Sequence, residues 1–117
     1  MSGVITTTAY REKMAEAARG GAAPPAITDI AFGTGTAPYT VDNTGLQAEF
    51  LRKAVASVTR SGLMVSAAGN IQGSEAVDKQ ITEAGIFAGT TLVGRKVFGI
   101  KELEVEATMD LTFDFQF

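Results

Sequence analysis

From Leu103 onward every second residue of the chain is apolar: Leu103, Val105, Ala107, Met109, Leu111, Phe113, Phe115 and Phe117. Between them stand Glu104, Glu106, Thr108, Asp110, Thr112, Asp114 and Gln116. A period of two predicts a half-buried β-strand, because successive strand side chains point to opposite faces. At about 3.3 Å per residue, residues 103–117 would reach about 50 Å, longer than ordinary strands. A bend or break is therefore expected between Lys101 and Ala107. The other end of the chain has a different period. Tyr10, Met14, Ala17 and Ala18 fall at i, i+4, i+7 and i+8, which is one face of a helix. The segment is dense in Ala, Arg, Glu, Lys and Met, all good helix formers. Thr7 or Thr8 can cap it, since a hydroxyl can accept from an orphan amide of the first turn. Gly20-Gly21 should end it through the left-handed conformation, and Pro24-Pro25 bars its continuation. The pattern predicts a helix over about 8–19.

Between these ends the signals are shorter. Residues 26–32 read as a first strand, with Thr28, Ile30 and Phe32 alternating with Asp29 and Ala31. Residues 33–45 read as a loop rich in Gly, Thr, Pro, Asp and Asn. Residues 46–50 fit a helical turn or the lead-in to a strand, and 51–60 look extended in their second half. Ser61-Gly62 marks a turn. Residues 63–67 read as a short strand closed by Gly69-Asn70. A further pattern covers 74–87, Gly89-Thr90-Thr91 is a hairpin turn, and 92–98 return. The expectation is one domain over 1–117, with a β-rich part from 26 to 117. Its class is α+β: mostly antiparallel β, sandwich-like, about six strands, with an N-terminal α-helix.

Composition narrows the chemistry. The chain has no histidine and no cysteine. This removes the commonest general base, the commonest transition-metal ligand and every thiolate site. The expectation is no enzyme, no cofactor and no metal. Thirteen acids against ten scattered bases give a net charge of −3, whereas a nucleic-acid module usually carries a basic excess. No apolar run approaches the roughly 20 residues of a membrane span. Residues 1–8 lack the charged and apolar regions of a secretory signal. No nucleic-acid or membrane partner is expected.

Three local motifs invite a chemical reading. Gly33-Thr34-Gly35-Thr36 follows a strand, as a phosphate loop would. It lacks the third glycine, the following helix and any Gly-Lys-Ser/Thr, so an ordered loop is the better reading. Asp42-Asn43 lacks the spacing of a calcium loop and suits a turn in which side chains bond local backbone. Glu102, Glu104, Glu106, Asp110 and Asp114 would share one strand face. Neighbours on such a face stand about 7 Å apart by geometry alone, so a solvated face that discourages edge pairing, or a salt-bridged partner contact, outweighs a catalytic pair. Ser61, Ser66 and Ser74 show no nucleophile signature and suit turns.

In order along the chain, several stretches resemble one family. Residues 27–35, Ile-Thr-Asp-Ile-Ala-Phe-Gly-Thr-Gly, are similar to the "ITHIAVGDG"-like start of bacteriophage tail-collar fibre proteins and their short relatives. Residues 44–53 resemble the family's "TALxNEVYR" segment. Thr82-Glu83-Ala84-Gly85-Ile86-Phe87 matches "TEIGLF". Residues 93–98 match its basic-aromatic stretch, and residues 109–117 its "LTVTWTITF"-type closing strand. Phe32 and Thr34 depart from the usual Val and Asp. The resemblance implies a virion structural protein, made in the host cytoplasm. It would attach a fibre or accessory protein to the tail or baseplate, as an assembly module without a fibre shaft. Its partners would be other virion proteins, and it would form a homo-oligomer, a trimer or hexamer. A capsid decoration or head-fibre protein is the alternative, and a small glycan-binding module a second. Candidate contact residues are Tyr10 and Met14 on the helix, Pro38 and Tyr39 in the long loop, and Phe113, Phe115 and Phe117. Tyr39 leads, because tyrosine is enriched at interface centres. The three phenylalanines suit either the domain core or a core shared at a symmetry axis.

Overall fold

The computed structural model describes residues 4–117. Residues 1–3, the start of the stretch read above as lacking a secretory signal, lie outside the described residues. The helix α1 spans Thr8–Ala18, and the side chain of Thr7 accepts from the amide of Tyr10, as a cap should. Gly20 takes a positive φ of 100° just beyond the helix. Seven strands follow: β1 (Asp29–Gly33), β2 (Glu49–Ala54), β3 (Ser57–Ser61), β4 (Met64–Gln72), β5 (Ile81–Ala88), β6 (Thr91–Lys101) and β7 (Thr108–Gln116). They form a four-stranded sheet of order β2-β1-β5-β6 and a three-stranded sheet of order β3-β4-β7. All strand pairs are antiparallel. The fold is α+β, mostly antiparallel β and sandwich-like, as the patterns predict.

The core lies between the sheets. Ile30, Phe32, Ala84, Ile86 and Val93 from the first sheet meet Ala67, Ile71, Phe113 and Phe115 from the second. The predicted break in the final pattern is present: β6 ends at Lys101 and β7 begins at Thr108. The strand behind the first alternation starts at Asp29 and not at residue 26. Before it, Thr28 bonds the Phe87 carbonyl through its amide and hydroxyl and accepts from the Val55 and Gly89 amides, outside the regular ladder.

Larger corrections concern the middle of the chain. Residues 49–61 make two strands, because the chain changes sheets at Val55-Ala56. The Val55 amide bonds Thr28 in one sheet and the Ala56 amide bonds Ala68 in the other. Nor does Gly69-Asn70 close a strand; β4 runs straight through it to Gln72. Here glycine serves packing. A Cβ on Gly69 would sit 2.7 Å from Ile30 Cγ2, so the missing side chain admits Ile30 of the facing sheet. Ser66 consequently lies within β4 and not at a turn, and its hydroxyl donates to Asp114 at 2.6 Å. The acidic row is also divided. Glu102, Glu104 and Glu106 are exposed in the connection between β6 and β7, and only Asp110 and Asp114 lie on β7.

The two sides of the sandwich are finished differently. On the β6/β7 side, residues 4–7 run between the sheets. The Val4 amide bonds Asp114 of β7 at 2.8 Å, and the Thr7 amide bonds Val93 of β6 at 2.9 Å. Lys96 Nζ adds a bond from β6 to the Thr112 carbonyl of β7 at 2.7 Å. On the opposite side, the continuous run of β2 and β3 forms the outer edge of both sheets.

Candidate protein-contact surface

β5 is buried along its whole length, so both faces of the first sheet are covered. The second sheet covers one. Residues 34–48 lie over the other, where Leu46 packs on Ala31, Phe87 and Leu92. A buried carboxylate holds this loop down. Glu83 of β5 accepts from the amides of Gly35 (2.8 Å), Gln47 (2.9 Å) and Ala48 (2.8 Å), and from Arg95 Nε of β6 (2.7 Å). Glu83 is 0% exposed and Arg95 is 3% exposed. Burial pushes the Glu83 carboxyl up, but the Ala48 and Gln47 amides, the Arg95 guanidinium and the Gly35 amide outweigh it. The net effect holds the carboxyl below its ordinary value.

The Gly-Thr-Gly stretch therefore does cradle an anion, but the anion is the chain's own Glu83. A Cβ on Gly33 or Gly35 would collide with that carboxylate, which explains glycine at both positions. Asn43 behaves as the turn reading expects: its Oδ1 accepts from the Thr40 amide at 3.2 Å. The same oxygen accepts from Arg95 Nη1 at 3.2 Å, tying the loop to β6 a second time. Arg95 Nη2 has no hydrogen-bond partner among the described residues.

The clamp positions Tyr39. This half-buried side chain donates its hydroxyl to the Ile5 carbonyl, and burial raises its pKa. Ile5 itself is 66% exposed, so residues 4–6 form a ridge with an apolar crest. Hollows flank it on both sides. One, of about 520 Å³, is lined by Val4, Ile5, Thr6, Arg11, Met14, Gln116 and Phe117. The other, of about 320 Å³, is lined by Val4, Ile5, Tyr39, Val41 and Arg95.

Three of the residues singled out in the sequence thus converge on one surface: Met14 and Phe117 on one flank of Ile5, Tyr39 on the other. Tyr10 stands behind it, buried, its ring 6.3 Å from that of Phe117 and its hydroxyl donating to the Pro25 carbonyl. Pro38 is exposed in the loop beside Tyr39 but lines neither hollow. Phe113 and Phe115 must be corrected as contact candidates. Both are 0% exposed in the domain's own core, and neither offers a surface to another chain.

Sequence reasoning missed Ile5, Glu83 and Arg95. A signal existed for the last two. Glu83 is the single charge in the otherwise mostly apolar β5, and Arg95 follows the apolar start of β6 with the opposite sign; such charges are seldom buried unless paired. Nothing local marked Ile5. Among the described residues no helix is long and apolar enough to cross a membrane.

The fold and this surface define a two-sheet antiparallel domain with a clamped loop and an exposed apolar ridge. No protein-family model, no curated protein and no solved structure matches the chain.

Proposed function

We propose that the chain is a bacteriophage virion structural protein that joins a fibre or accessory protein to the tail or baseplate through protein–protein contacts. The observation that carries this reading is the ordered series of motifs at residues 27–35, 44–53, 82–87, 93–98 and 109–117, which resembles short tail-collar fibre proteins in both order and spacing. The ridge at Ile5 supports the contact mode. An exposed aliphatic crest, flanked by hollows that carry Met14, Phe117 and Tyr39, has the apolar centre and aromatic anchors that protein partners use.

The test is made on purified particles. Mass spectrometry should find the chain in the virion, and cross-linking should join it to tail or baseplate proteins. An Ile5→Asp variant should fold, because the side chain is exposed, yet be lost from particles. A chain abundant in infected cells and absent from purified particles would overturn the reading. Cross-links to capsid proteins alone would move it to the head.

A further inference from the structure

A strand edge exposes a row of main-chain donors and acceptors, and folded proteins normally cover, bend or charge such edges. Three of the four sheet edges here are treated in this way. Residues 4–7 and Lys96 bond the edges of β6 and β7. The β1–β2 ladder has a register shift at Phe32/Gly33, and β2 carries the Glu49–Arg52 and Lys53–Glu75 ion pairs. The β3 edge has none of these protections. Its pairing with β4 is regular over all five residues, all five are exposed, and its outer edge has no partner among the described residues. It contains no proline, and Arg60 is its single charge. Two large apolar side chains stand uncovered beside it. Val58 is 43% exposed although it pairs with the buried Ala67, and Leu63, at the turn after β3, is 68% exposed.

The residues of this edge are complementary to themselves. In an antiparallel pair of two β3 strands centred on Thr59, Thr59 faces Thr59, Ser57 faces Ser61, and Val58 faces Arg60. No like charges are opposed, cross-strand threonines are a favourable pair, and the arginine stem can lie along the valine. The same two-fold brings the exposed Val58 of each copy into the contact.

We infer that β3 is a self-association edge, to which a second copy of this chain adds its own β3 antiparallel about a two-fold axis at Thr59. The second sheets of the two copies then join into one of order β7-β4-β3-β3-β4-β7. The inference stands independently of the virion reading. It requires an even-numbered assembly: a dimer, or a hexamer containing three such contacts, but not a lone trimer.

Light scattering on the purified chain over rising concentration is the test. The wild type should reach an even-numbered mass. Thr59→Lys places like charges face to face and should weaken association by about tenfold or more, with an unchanged circular dichroism spectrum. Thr59→Glu should do the same, and mixing the two variants should restore assembly. A Thr59→Cys variant, in a chain without other cysteines, should cross-link to itself on mild oxidation, whereas Val77→Cys, at a comparably exposed site on another part of the surface, should not. A wild type that stays monomeric at every soluble concentration overturns the inference, as does an assembly that Thr59→Lys leaves intact.

Discussion

The two long sides of this sandwich are finished in opposite ways. On the β6/β7 side, a short N-terminal segment crosses from sheet to sheet, and Thr7 does two jobs in a buried position. Its hydroxyl caps α1 by accepting from the Tyr10 amide, and it donates to the Leu92 carbonyl. Behind the same side, Glu83 and Arg95 fasten residues 34–48 over the sheet. On the β2/β3 side the chain passes from one sheet to the other at Val55-Ala56, but among the described residues no further segment lies along the β3 edge. Polar groups there face water, and the ion pairs are partly solvated. Closure on one side is achieved with buried polar groups, each strongly dependent on its partners. Openness on the other leaves an edge that tolerates change.

Substitutions should therefore fall into two classes according to side. The largest effect is expected at Glu83. Removing one partner of a buried, hydrogen-bonded ion pair costs about 3–5 kcal/mol, so Glu83→Ala should lower the unfolding free energy by that order. Glu49→Ala, which breaks the Arg52 pair on the open side, should cost less than about 1 kcal/mol. Urea titrations of both variants compare them directly. Equal losses would mean that the clamp is not what closes the domain.

The acid response sharpens the same contrast. The folded state holds the Glu83 carboxyl below its unfolded value. Its contribution is complete above the ordinary carboxylate pKa of about 4.3. It declines as the pH drops below that value and is gone once the pH passes below the depressed folded value, because the unfolded chain then binds the proton more tightly. Glu75, lowered by the Gln72 amide and by Lys53, adds a contribution of the same sign. Glu83→Gln should flatten the fall in stability between pH 5 and pH 3, on the order of the carboxylate titration range. An unchanged slope in thermal unfolding across that range would show that other acids carry it.

Two threonines repeat the contrast on a smaller scale than Glu83 and Glu49. Thr7→Ala removes a cap and leaves the buried Leu92 carbonyl short of a donor, for a loss of about 1–2 kcal/mol. Thr59→Ala on the open edge should stay within about 0.5 kcal/mol for the isolated domain. Thermal melts at low protein concentration separate the two, since dilution removes any contribution from association.

Some of this was legible along the chain because it rests on near-neighbour geometry. The helix, its Thr7 cap, its glycine stop, the alternation of β7 and the break before it all follow from periods and from backbone preferences. The contact candidates were half legible. Met14, Tyr39 and Phe117 carry the right chemistry, and the structure brings them around Ile5. Phe113 and Phe115 carry the same chemistry and are core, since an alternating pattern specifies which face of a strand is apolar but not what covers that face. The run 49–61 was misread for a related reason: changing sheets at Val55-Ala56 is a property of two partners, Thr28 and Ala68, far away in sequence.

What the sequence by itself determined is the class of the domain, its single helix and the period of its last strand, because these depend on residues within a few positions of one another. Tertiary structure alone decided that Gly69 lies inside a strand to admit Ile30 and that the Gly-Thr-Gly loop closes on Glu83. It also decided that the β6 and β7 edges are stitched and the β3 edge bare. Each of these is a meeting of segments dozens of residues apart, and its energy comes from burial and hydrogen bonding that no local pattern records.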